Sequence, residues 1–139
     1  MSPRHGAVSA GEVRQARDTE RGSAIVDFVL VGALLTLILL SIVQLALVLH
    51  VRNTLIDAAA SGARYGILMD RTPQEAVSRT QDLVGTALNP AFAREVSASE
   101  EMVDGVRTLK ITVRAPLPFI GLFGPAGLLV ATGHAAFQR

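Results

Sequence analysis

The sequence predicts an α+β chain in which a long N-terminal helix, its first half transmembrane, precedes a short helix and a small antiparallel sheet of about three strands. Three observations carry this reading. Residues 28–49 hold no formal charge, Thr72-Pro73-Gln74-Glu75 has the spacing of a helix start, and polar and apolar residues alternate through 106–115 behind an Asp104-Gly105 turn signal. Composition agrees, because half of the residues are hydrophobic while only 18% are charged, a balance suited to a membrane component.

Residues 1–22 are polar, contain Gly and Ser, and show no apolar periodicity, so an extended or disordered segment is expected there. The run 28–49 would cover roughly 33 Å as a helix, against about 30 Å of hydrocarbon, which is enough for one span. Thr36, Ser41 and Gln44 are its polar members; a hydroxyl in a helix can return its hydrogen bond to the preceding turn and does not defeat the assignment. A cleaved secretory signal is a poor fit, since its apolar region would be shorter and would end in small residues, whereas this run ends in Leu49-His50-Val51-Arg52. Arg4, Arg14, Arg17 and Arg21 precede the span and Arg52 and Arg64 follow it, so the amino terminus is expected in the cytoplasm and the rest outside the inner membrane.

Proline is absent from the span's end to Pro73, and good helix formers continue through 51–69, so one helix of about 23–69 is expected. On its outer half, Ala58, Gly62 and Gly66 recur every four residues and form a stripe of minimal bulk. Each glycine costs a helix about 1 kcal/mol relative to alanine, which a close contact should offset. That contact is either a neighbouring helix at short range or the chain's own sheet. Thr72 then caps a second helix, with Pro73 in its first position and Glu75 completing a capping box, and this helix should stop before Asn89-Pro90. Strands are expected at about 93–98, 106–115 and 128–137. The stretch 117–137 is nearly uncharged, but Pro118, Pro125 and four glycines interrupt it, so an apolar loop feeding a strand is preferred to a second span. Leu117, Phe119, Ile120, Leu122 and Phe123 are then either a partner-binding patch or residues that close the core.

Several function classes find no support. A formal net charge of +1 with scattered arginines offers no stripe for nucleic acid. Without cysteine there is no thiolate metal site or redox pair. His5, His50 and His134 have no ligand or nucleophile spacing and read as solitary. Glu100, Glu101 and Asp104 read as a solvated hairpin tip before a cation site. No phosphate-binding glycine loop or serine-centred nucleophile motif occurs, so no enzyme, cofactor, metal or small-molecule substrate is expected.

What stands out is Asp27, just inside the apolar edge. A carboxylate at the centre of a span costs about 2.5–3.5 kcal/mol, and less near the end, where it is partly solvated. It belongs to Gly22-Ser23-Ala24-Ile25-Val26-Asp27-Phe28, a glycine at the polar boundary, then an acid at the fifth following position and an aromatic at the sixth. This resembles the processing site of type IV pilins of the Flp/Tad class, which prepilin peptidase cuts after the glycine. The stretch IVQLALVLHVRNTLIDAAASGARYG, residues 42–66, is similar to the amino-terminal region of TadE-like proteins, the pseudopilins of the tight-adherence pilus system. Ala59, Ala60, Gly62, Ala63, Arg64 and Tyr65 are its most specific outer part. The chain departs from the family pattern in having Asp27 where glutamate is usual, and Gln44 and His50 where glutamate and tyrosine are frequent.

The resemblance implies a pilin-like fold and a division into a leader at 1–22, a transmembrane helix at 23–50, its outer continuation and a loop at 51–72, and an extracytoplasmic α+β domain at 73–139. Gly22 would be the leader's last residue, Ser23 the mature amino terminus, and Asp27 with Phe28 the recognition pair. Asp27 would meet the amino terminus of a neighbouring subunit, and Ala58, Gly62 and Gly66 would serve helix packing. Implied partners are the membrane, prepilin peptidase, other pilin or pseudopilin subunits and the assembly platform. The implied function is that of a minor pilin or pseudopilin in assembly or initiation of a Flp/Tad-type pilus. The rival is an uncleaved single-pass anchor carrying an extracytoplasmic binding domain.

Overall fold

A computed structural model describes residues 6, 9–118 and 127–138. The elements run α1 (Ala10–Gly66), α2 (Pro73–Ala87), a 3-10 turn at Pro90–Ala93, β1 (Glu95–Val103), β2 (Val106–Pro116) and β3 (Leu128–Ala136). The expected α+β architecture of long helix, short helix and three-stranded antiparallel sheet is therefore present. Two compact units divide the chain, Met1–Ile42 and Val43–Arg139, and α1 contributes to both.

In the first unit α1 begins at Ala10, which corrects the expectation of an extended or disordered segment up to residue 22. The reason lies in the local chemistry. The Glu12 carboxylate accepts from the Ser9 N–H at 3.3 Å, giving the start a cap, and Ala10, Arg14, Gln15, Ala16, Arg17, Glu20 and Arg21 are strong helix formers. Adjoining an apolar helix, they add turns without a fresh nucleation cost. Within the apolar run, Thr36 and Ser41 each donate to the carbonyl four residues earlier, at 2.8 Å, so neither hydroxyl is left open.

The second unit is built around the outer half of α1. Leu55, Ala59 and Ala63 are fully buried there with Ala76, Thr80 and Val84 of α2 and with Leu109, Ile111, Val113 and Ala115 of β2. Each fully buried Leu, Ile or Val contributes about 1.5–3 kcal/mol. The alternation expected through β2 holds from Leu109 onward, since these buried positions alternate with Lys110, Thr112 and Arg114 on the other face; Thr108 is itself buried. Capping of α2 is also as expected: Thr72 Oγ1 accepts from the Glu75 N–H at 3.2 Å, and the Glu75 carboxylate accepts from the Thr72 N–H at 2.8 Å. That backbone hydrogen bond, followed by Arg71 at 3.1 Å, holds the Glu75 carboxyl below its ordinary value.

The sheet order is β1-β2-β3, antiparallel throughout. Val103 pairs with Val106 across a two-residue turn in which Asp104 and Gly105 both have positive φ, 50° and 80°, the conformation that Asp-Gly favours. Strand β1 begins and ends later than expected, at Glu95 and Val103. The sequence 90–93 is taken by the 3-10 turn, which Asn89 caps by accepting from the Ala91 N–H at 2.9 Å. At the other end the acids do not terminate the strand, because cross-strand partners take them up. Arg107 meets Glu100 at 2.7 Å, while Lys110 and His134 lie 3.5 Å and 3.3 Å from the two oxygens of Glu101. The acidic cluster is thus a paired part of the sheet, with only Asp104 at the tip, and His134 is not solitary. Among the described residues no group of His, Cys, Asp and Glu has metal-site geometry.

Gly133 of β3 sets how closely sheet and helix approach. A Cβ there would overlap the backbone of Ala59 and Ala60 in α1, so the strand lies directly on the helix main chain. No other residue type fits that separation.

Candidate processing and assembly site

Gly22, Ser23, Asp27 and Phe28 lie in the first unit on a single uninterrupted stretch of α1. Ser23 and Asp27 are one helical turn apart and so share a face. All four are exposed, Phe28 at 79%, and a Cβ on Gly22 would meet nothing within 4 Å. The glycine is therefore not required by packing in this chain. That observation separates it from Gly62, Gly66 and Gly133, each of which has a steric reason to be glycine. Just before the site, Arg14, Arg17 and Arg21 recur at helical spacing on one face, with Ala24 beyond them.

The surface that follows Phe28 is apolar and unburied. Leu30, Leu34, Leu35, Leu37, Ile38 and Ile42 are all exposed, and an 18-residue window of this helix has a mean hydropathy of 2.7 with none of it buried. A core helix of a water-soluble domain would bury such a window; a membrane span exposes it to lipid. The helix thus fits a single-pass membrane protein.

Ala58, Gly62 and Gly66 lie in the second unit, apart in the chain from Gly22, Ser23, Asp27 and Phe28, and are buried. The close contact that the stripe's two glycines require is made within the chain. A Cβ on Gly62 would overlap Thr80 Oγ1 of α2, and one on Gly66 would stand 2.6 Å from Ala76 Cβ and against Leu109 of β2. Ala58 lines a shallow groove between α1 and α2 with Thr54, Asp57, Ser61, Leu83 and Ala87.

Two residues with structural roles were not singled out for them in the sequence. Gln44 donates from its side-chain amide to the Pro118 carbonyl, tying the end of β2 to α1. Its signal was its polarity within an apolar run. Gly133 had only its position inside a strand as a signal. Of the apolar patch expected in the β2–β3 connection, Leu117 is half-buried, while Phe119, Ile120, Leu122 and Phe123 lie outside the described residues.

No curated protein and no solved structure matches the chain. A family model does: residues 22–64, from the glycine ahead of the span to Arg64 near the end of α1, match the model described as TadE-like protein, the family that this segment resembles.

Proposed function

We propose that this chain is a minor pilin or pseudopilin of a Tad-type pilus or a related secretion apparatus, cut by prepilin peptidase after Gly22 and acting through assembly rather than catalysis. The match to the TadE-like family supports the wider setting of Tad pilus systems. The observation that carries the finer reading is the glycine at the polar edge with Asp27 and Phe28 at the fifth and sixth positions after it, inside the matched segment. With the amino terminus in the cytoplasm, the peptidase would meet this bond at the inner face of the membrane. The domain after the span makes the chain bulkier than a major pilin of this class, which is little more than the helix, so a minor role is preferred. Equal numbers of basic and acidic side chains follow Gly22, so assembly would rely on specific contacts rather than bulk charge.

The new ammonium of Ser23 would lie one turn from Asp27. In an apolar bundle a carboxylate and an ammonium are each costly alone and tolerable as a pair, which gives Asp27 a reason to stand inside the apolar edge. The rival, an uncleaved anchor for an extracytoplasmic binding domain, draws support from the regular helix through Gly22 and Ser23. If a turn of α1 opens at this bond, Gly22 lowers the cost, since glycine is the poorest helix former after proline.

Mass spectrometry of protein extracted from membranes with active prepilin peptidase separates the two. The expected amino terminus is Ser23, and Gly22→Leu should retain residues 1–22. An intact amino terminus in the unmutated chain would sink the pilin reading. Asp27→Ala should insert into the membrane normally yet lower pilus number; normal piliation would remove the acid from the mechanism.

A further inference from the structure

The second unit carries a ruler for its own position along α1. Leu109 of β2 stands against Gly66, and Pro118, just past the end of β2, accepts from Gln44. Strand β2 therefore runs beside α1 in the opposite direction, and β3, antiparallel to β2, runs in the same direction as α1. The spacings agree: nine residues of extended chain and 22 residues of helix both cover about 30–33 Å.

Gln44 lies five residues, about 7 Å, before the end of the uncharged run 28–49. Even allowing for the roughly 3 Å by which that run exceeds the hydrocarbon core, the Pro118 carbonyl would lie at hydrocarbon depth in a bilayer spanned by residues 28–49. A second estimate uses β3 alone. Gly133 sits on Ala59 and Ala60, and Leu128 lies five residues back along the strand, about 17 Å, or roughly eleven helix residues. Leu128 is thus level with about residue 48, still within the run. Val130, three residues back from Gly133, is level with about Arg52.

The residues at this end of the sheet suit that depth. On the outer face, Leu128 is 64% exposed and Val130 53%, Pro116 pairs with Leu128, and neither Pro116 nor Leu117 carries charge. Arg114, exposed and paired with Val130, comes at the same level as Arg52, where a guanidinium can reach lipid phosphates while its stem lies on apolar surface. The opposite end of the sheet holds the Asp104-Gly105 turn with Glu100, Glu101 and Arg107.

We propose that the end of the sheet formed by Pro116, Leu117, Leu128 and Val130 is a membrane-contact surface, seated among the headgroups and upper acyl chains of the leaflet through which α1 leaves the bilayer. It lies beside residues 44–52 of α1 within the second unit and makes the folded domain a second, interfacial anchor. The inference goes beyond the proposed function and does not depend on cleavage at Gly22.

The chain lacks cysteine, so single cysteines report depth cleanly. Full-length Leu128→Cys, Val130→Cys and Val106→Cys, each labelled with an environment-sensitive fluorophore, would be reconstituted in phosphatidylcholine vesicles with and without acyl-chain nitroxide lipid. All three side chains are exposed, and unchanged protease resistance would identify the folded variants. The label at 128 should be quenched several-fold more than that at 106, with 130 between them, and aqueous iodide should give the reverse order. Equal quenching at 128 and 106 by either agent would overturn the proposal.

Discussion

The two halves of α1 follow opposite packing rules. Before Ile42 the helix carries bulky apolar residues and exposes them; from Val51 to Gly66 it buries mainly small ones, Ala58, Ala59, Gly62, Ala63 and Gly66, beside Val51 and Leu55. Hydrophobicity alone would assign the first half to the core, yet among the described residues it is the half that stays exposed. The difference is the solvent. Lipid accepts large side chains at no cost in fit, whereas the chain's own sheet and second helix demand short separations, and only small residues allow them.

Substitutions sharpen this contrast. The largest effect is expected at Gly133, because Gly133→Ala drives a methyl group into the α1 backbone, which cannot move aside as a side chain can. Denaturant unfolding of the detergent-solubilised protein should show a loss of about 3 kcal/mol or more, at the upper end of overpacking costs. Leu55→Ala should cost about 2–5 kcal/mol, while Leu35→Ala, the same change on the exposed half, should stay within about 0.5 kcal/mol in the same assay. Equal costs at the two leucines would break the comparison.

The smallest effect concerns the start of α2. The Glu75 carboxyl is held below its ordinary value by the Thr72 backbone N–H and then by Arg71, so its ionised form is favoured in the folded state. The sign follows: the stabilisation is fully present above the carboxyl's ordinary value and is lost as pH falls through the lowered folded one. Wild type should therefore melt above Glu75→Gln near neutral pH, with the gap closing in acid. A gap that is constant with pH would assign the effect to the side-chain hydrogen bond alone.

What the sequence disclosed depended on how local the cause was. The capping box of α2 and the Asp104-Gly105 turn are written within four residues, and both are found where expected. Glu100 and Glu101 looked like a loop because their partners, Arg107, Lys110 and His134, come from other parts of the chain. Gly133 was read as an interruption, since what makes it necessary is the α1 backbone across from it. Residues 10–22 lacked apolar periodicity, but their propensity and the Ser9–Glu12 start sufficed for helix beside a helix already formed. The candidate site was legible for the opposite reason. Gly22, Asp27 and Phe28 make no packing contact that explains them, so their pattern shows only in sequence.

The continuity of α1 through residue 22 has an electrostatic consequence. In the uncut chain the helix starts near Ser9, and its unpaired N–H groups, with the positive end of the helix dipole, lie well ahead of the apolar run. A cut after Gly22 would move that positive end to Ser23 and add an ammonium to it. Asp27, until then an acid in mid-helix, would become a carboxylate one turn from the helix start. Processing would thus change the field around Asp27 while leaving the sequence of the span intact.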